Sequence, residues 1–285
     1  AMKAGVGWEL GVFETWDALG GKKSLEKMEE AGIKPAKWVQ DMLLNGCLTF
    51  YSAKNGKKLY YDIKSKNYKE IPGTESFILL ETLSENVVWK NSGASLYDIG
   101  DGILNLQFHT KMNTIGSETI EGLSKAVDIA EKDFRGLVIA NEGQNFSVGA
   151  NLGLVFMYAA EQDFDEVEFM AKTLQNTLMK LKYSTIPVIA APHNLTLGGG
   201  CELCLHADKI QAHAETYIGL VEFGVGLIPA GGGTKEIVLR TSEQYGDGDV
   251  EINILKNNFL TIGMAKVSTS AEEAYDLSIL KQGRD

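Results

Sequence analysis

Two glutamates twenty positions apart, each set among glycines, are the residues of this 285-residue chain best suited to move protons. Glu222 is the single charged residue of the eighteen from Thr216 to Gly233. A carboxylate in so apolar a setting has a raised pKa and can donate a proton near neutral pH. The plainer reading is an exposed turn glutamate. Glu202 follows Gly198-Gly199-Gly200-Cys201. Consecutive glycines cost backbone entropy, so chain without Cβ atoms is needed there. One such need is a ligand oxygen approaching free N–H groups at a helix N-terminus, with Glu202 in the first turn beside it. Close packing, with Glu202 merely complementing the helix dipole, stands level with that reading. A second cluster, Phe146-Ser147-Val148-Gly149-Ala150-Asn151, offers the N–H of Ala150 as a partner for that of Gly199. Two converging donors make an oxyanion hole; taken alone, the loop reads more simply as a turn.

Other motifs carry less. Gly5-Val6-Gly7-Trp8-Glu9-Leu10-Gly11 misses the dinucleotide spacing by one position and follows no strand. Gly232-Gly233-Thr234-Lys235 inverts the order of a phosphate-binding loop. His109, His193, His206 and His213 lack metal-ligand spacing and read as structural or solvent-facing, His193 lying nearest the glycine run. Cys201 and Cys204 form a CxxC without a second pair, and the apolar residues around them predict buried helix thiols.

The elements that must position these residues follow from periodicity. Residues 95–99 and 103–108 alternate around Gly100-Asp101-Gly102, a hairpin signature. Ile120, Leu123, Ala126, Val127 and Ala130 share one face of a helix over residues 117–131. Residues 136–140 and 187–191 are continuous apolar runs, expected as strands buried on both faces. A long helix over residues 164–183 separates them, another helix follows the 198–200 glycines, and short strands are expected at 209–212 and 216–221. Strands alternating with helices predict an α/β domain. Ahead of them, residues 1–72 read as helices over 24–30 and 35–44 and one strand at 59–63, with a thin core. Residues 73–93 read as a linker.

The 44% hydrophobic content supports a substantial core, and a formal charge of -11 argues against nucleic-acid or anionic-membrane binding. Three cysteines and no long apolar segment predict a reducing, cytoplasmic setting without a membrane span. Ala1 before Met2 reads as an addition, and the ends as those of an excerpt.

Over residues 94–277 the chain resembles the crotonase (enoyl-CoA hydratase/isomerase) superfamily: a Gly-Ala pair beyond a buried strand, then Gly-Gly-Gly-Cys-Glu, then a glutamate ahead of Gly224-Val225-Gly226-Leu227-Ile228-Pro229-Ala230-Gly231-Gly232-Gly233-Thr234. The resemblance implies a spiral of repeated ββα units over 94–285, its C-terminal helices incomplete, preceded by the small, mainly helical segment. It implies that Ala150 and Gly199 hold an acyl-CoA thioester oxygen and that Glu202 and Glu222 are the hydratase pair. Gly149, Asn151, Gly198 and Gly231 would line the substrate, with Lys111 near coenzyme A. Asn151 stands where the family commonly has Asp, and Pro192-His193-Asn194 replaces a more usual small-residue turn.

Gly7-Trp8-Glu9-Leu10-Gly11 and the following residues through Gly20 resemble the closing helical segment of a 3-hydroxyacyl-CoA dehydrogenase. The order is similar to a fatty-acid β-oxidation fusion. NAD would serve only with a dehydrogenase portion not in this sequence, and no other cofactor or metal is implied. The implied activity is syn hydration of trans-2-enoyl-CoA by a trimer-type homo-oligomer. An enoyl-CoA isomerase and an inactive acyl-CoA-binding or assembly module are the alternatives.

Overall fold

The computed structural model describes residues 2–54, 56–74 and 76–281 and divides into two units, Ala1–Glu85 and Asn86–Asp285. The sequence's outermost residues, Ala1 and 282–285, lie outside the described ones.

In the first unit, helices α1 (Met2–Val6), α2 (Val12–Leu19), α3 (Gly21–Glu30) and α4 (Lys37–Leu44) precede strands β1 (Tyr51–Lys54), β2 (Lys57–Asp62) and β3 (Asn67–Glu70). The expected lone strand is the centre of an antiparallel sheet in the order β1-β2-β3. Its neighbours are polar strands without an alternating apolar signal. The core is aromatic where aliphatic residues are scarce: Phe50 packs at tilted or edge-on angles against Phe13, Trp16 and Trp38 at centroid distances of 4.7, 5.1 and 5.7 Å. Aromatic rings bury large areas each, which lets a short segment form a core.

The second unit is built on a sheet in the order β10-β8-β7-β6-β5-β4. Strands β4 (Val87–Lys90), β5 (Ala94–Asp98) and β6 (Ile103–Phe108) pair antiparallel, while β6, β7 (Gly136–Ile139), β8 (Val188–Ala190) and β10 (Lys209–Ile210) run parallel. Helix α5 (Ser117–Asp133) crosses from β6 to β7, and α7 (Phe164–Lys182) precedes β8. The predicted apolar face of α5 is buried at Leu123, Ala126, Val127 and Ala130. A separate parallel pair, β9 (Asn194–Leu197) and β11 (Thr216–Gly219), lies beyond the main sheet. Helices α6 (Leu152–Ala160), α8 (Gly199–His206), α9 (Gly233–Ser242), α10 (Glu251–Gly263) and α11 (Ala271–Asp276) complete the unit. The strand expected at 209–212 is confined to two residues, and that at 216–221 ends at Gly219. No described helix is long and apolar enough to cross a membrane.

Candidate active site

The β9–β11 register brings the two glutamates together. Leu197 pairs with Gly219, so both chains leave the pair at the same end. One enters α8 through Gly198, whose N–H donates to Gly219 O at 2.9 Å; the other enters a 3-10 turn over Glu222–Val225. Ligands of parallel sheets gather beyond such carboxyl ends. Ser147 joins the pair from the other side, its N–H donating to Leu195 O at 3.1 Å and its carbonyl accepting from Leu197 N at 2.9 Å.

Two residues further along this ladder, Gly149 meets the glycine run. Its φ is +86°, and a Cβ on it would stand 2.7 Å from Leu197 O and 2.9 Å from Gly199 N. A Cβ on Gly199 would lie 3.6 Å from Ala150 N. The Ala150 and Gly199 amides are therefore neighbours, and among the described residues neither donates to a protein acceptor. Gly199 opens α8, where main-chain donors lack helical partners. Gly200 is needed because a side chain there would strike Ser147.

Glu202 lies in the first turn of α8 and is 2% exposed. Its Oε1 accepts the Gly233 N–H at 2.8 Å, and the Gly231 and Gly232 amides also stabilise the charged carboxylate. Gly233 is the first residue of α9 and its N–H lacks a helical partner, so Glu202 caps that helix. Burial outweighs these amides and leaves the carboxyl above its ordinary value. Glu222 has less help. A Cβ on Gly198 would stand 3.2 Å from its Oε1, and its Oε2 is buried without a hydrogen-bond partner. Burial, reinforced by the Glu202 charge, pushes Glu222 up to about 7.

The other predicted residues are placed as follows. Gly231 lies against the Glu202 carboxylate, where a Cβ would collide with Oε2 and with Leu174 Cδ2. The Asn151 side chain caps α6, accepting from Gly153 N at 3.2 Å. Lys111 is exposed on a 3-10 turn. His193 pairs with Gly143 O at 3.0 Å in the loop wall. Cys201 and Cys204 are buried thiols outside any disulfide. The cradle role of Gly231–Gly233 and the burial of His206 emerge only in the folded chain. The signals were present: a second glycine run, and a histidine four residues after Glu202. No group of His, Cys, Asp and Glu among the described residues could hold a metal ion. A cavity of about 360 Å³ lined by Arg240, Glu243, Tyr275 and Lys281, among others, includes neither glutamate in its lining. The chemistry therefore marks the glutamates, not the cavity.

Residues 98–244 match the family described as Enoyl-CoA hydratase/isomerase. The chain belongs to this family. A Bacillus subtilis protein carrying the name Probable 3-hydroxyacyl-CoA dehydrogenase is 48% identical over 284 residues, 99% of this chain and 35% of the relative. A Rickettsia felis protein provisionally named fatty acid oxidation complex trifunctional enzyme is 34% identical over 85% of the chain and 31% of its own length. The chain thus spans about a third of the length of these curated relatives. The fold is that of an enoyl-CoA hydratase structure from Geobacillus kaustophilus, with TM-score 0.56 and 21% identity over 67% of this chain and 68% of that one. A Bacillus anthracis enoyl-CoA hydratase structure gives 0.55 and 21% over 66% and 69%.

Proposed function

We propose that this enoyl-CoA hydratase/isomerase family member adds water reversibly to a trans-2-enoyl-CoA. The observation carrying the proposal is the pair of carboxyls, one capped by amides and one with a buried, unpartnered Oε2, beside the Ala150 and Gly199 N–H groups. The two amides donate to the thioester oxygen, each worth about 3 kcal/mol once negative charge moves onto it. Glu202, as carboxylate, takes a proton from water while the hydroxyl oxygen bonds to C3. The double-bond electrons pass through C2 toward the thioester oxygen, and Glu222, as acid, returns a proton to C2. The pair exchanges its single proton between the two sites and reverses for dehydration. Beyond the coenzyme A of the substrate, the chemistry asks for no cofactor.

The names of the relatives support a setting in fatty-acid oxidation, within a longer protein that also bears a dehydrogenase and would bring NAD; a cytoplasmic setting accords with cysteines outside any disulfide. A homo-oligomer of trimer type would cover apolar side chains that α10 exposes, Ile252 and Phe259 among them. The test is the loss of enoyl-thioester absorbance on adding crotonyl-CoA, with the 3-hydroxyacyl product identified. Isomerisation using Glu222 alone predicts double-bond migration that survives Glu202→Ala, and an inactive module predicts binding with unchanged absorbance.

A further inference from the structure

We infer that His206 is a positioning residue for the acid–base pair, holding the glycine turn that cradles the Glu202 carboxylate. The inference rests on the hydratase reading.

His206 ends α8 four residues after Glu202, and its side chain is fully buried. Nδ1 lies 2.7 Å from the main-chain oxygen of Glu202, which can only accept, so this nitrogen carries the proton. Nε2 is then an acceptor, and the Lys235 ammonium donates to it at 3.1 Å. Accepting from Lys235 requires the neutral ring, and burial holds the imidazole below its ordinary value.

The same ring edge meets the cradle. A Cβ on Gly232 would stand 3.0 Å from both Cε1 and Nε2 of His206. Gly232 is the N-cap of α9, with φ +115°, and is one of the three residues whose amides face the Glu202 carboxylate. Lys235 lies in the first turn of α9, where a cation opposes the helix dipole. It is held there by Glu236 at 2.7 Å, a carboxylate that also takes Lys182 of α7 at 2.6 Å and lies 3.5 Å from His206 Nε2. Met179 Sδ of α7 faces the Lys235 ammonium as well, at 2.9 Å. Burial would raise the Glu236 carboxyl, but the two lysines hold it below its ordinary value. Lys182, Glu236, Lys235 and His206 thus tie α7 and α9 to the helix that carries Glu202. Without the imidazole, the turn loses its brace on one side and its link to Lys235.

The test uses the full chain carrying His206→Ala, His206→Gln or His206→Asn, with kcat, KM and the pH profile measured on crotonyl-CoA. Gln can still accept from Lys235, whereas Asn keeps only a donor for Glu202 O. His206→Ala should lower kcat about 10- to 100-fold while KM stays within about twofold, because a misplaced catalytic group costs turnover more than binding. The acidic limb should move to higher pH, since weakened amide contacts raise the Glu202 carboxyl further. His206→Gln should recover most of the loss and His206→Asn little. Unchanged turnover and acidic limb in folded His206→Ala, or equal recovery by Asn and Gln, overturns the inference. Lys235→Met, at a site 40% exposed, should lower kcat in the same direction if His206→Ala fails to fold; an unchanged kcat there is equally fatal. If the unaltered protein shows no hydration, the hydratase reading fails separately. Carboxyl NMR titration of 13C-glutamate-labelled protein then decides on His206 alone: the Glu202 midpoint should rise in His206→Ala and return in His206→Gln, and a midpoint that does not move rejects the role.

Discussion

The Glu202 carboxylate accepts the Gly233 amide at 2.8 Å, so the acidic side chain of α8 caps the N-terminus of α9. Glu222, by contrast, has a buried Oε2 without any partner. Two acids of the same type therefore occupy unlike sites: main-chain donors favour the charged form of one, and burial beside its neighbour favours the neutral form of the other. A single proton shared by the pair resides preferentially on Glu222. That is the state required to add water, with a carboxylate facing the water and an acid facing C2.

Replacing either acid should abolish hydration. Glu202→Gln and Glu222→Gln are each expected to lower kcat on crotonyl-CoA by about 100- to 10,000-fold, the usual range for a missing general acid or base. Substrate binding should persist, because in the proposed mechanism main-chain amides, rather than either side chain, hold the thioester oxygen. Parallel absorbance kinetics and calorimetric titration check both parts. A Glu202→Gln enzyme that turns over normally would remove Glu202 from the mechanism.

The pH profile follows from the same asymmetry. Hydration needs Glu222 protonated and Glu202 ionised, so kcat/KM should form a bell. Its alkaline limb falls as Glu222 loses its proton near its value of about 7. Its acidic limb lies above the ordinary carboxylate range, because Glu202 is raised as well. In Glu222→Gln the alkaline limb should vanish from the residual rate. Apparent values belong to the pair, so moving one limb should also shift the other.

Much of this site was legible because its parts are short and local. The face of α5 and the apolar strands β7 and β8 follow from periodicity, and they set the frame from which Gly149 and Gly198 project. Strand β9 was not legible: Asn194-Leu195-Thr196-Leu197 has no apolar run and gains its strand form from β11 and Ser147. The same holds for β1 and β3, polar strands defined by their partner β2. Helix α6 is apolar throughout yet buries no residue completely, so its pattern gave no face. The cradle at Gly231–Gly233 joins residues about thirty positions apart, a tertiary relation that no spacing within either segment encodes.

Gly149→Ala probes the amide pair directly. The residue has φ +86°, and its new methyl would press 2.7 Å from Leu197 O and 2.9 Å from Gly199 N. Left-handed backbone strain and the contact together should destabilise the protein by about 2 kcal/mol. In the proposed mechanism Gly199 cannot move away without carrying its N–H off the thioester oxygen. The folded variant should therefore lose kcat by about 10-fold or more, in line with the loss of one donor. Thermal melts alongside turnover separate the two effects, and a stable, fully active variant would show that the Gly199 amide is not held in place by Gly149.

Stability should carry the signature of Glu222 even without substrate. Its folded-state value of about 7 lies above the 4.5 of an unperturbed glutamate, so the folded protein binds more protons than the unfolded chain between those values. Such a group imposes no penalty below the unfolded value, and its cost grows as pH rises through the folded one. Glu222→Gln removes the ionisation, so it should gain stability over the unaltered protein as pH rises from about 5 to about 8. The gain should reach about 2 kcal/mol after allowance for water reaching part of the side chain. Urea unfolding across that range measures the difference. An offset that stays constant with pH would mean that the Glu222 carboxyl is solvated in the folded protein and cannot act as the acid.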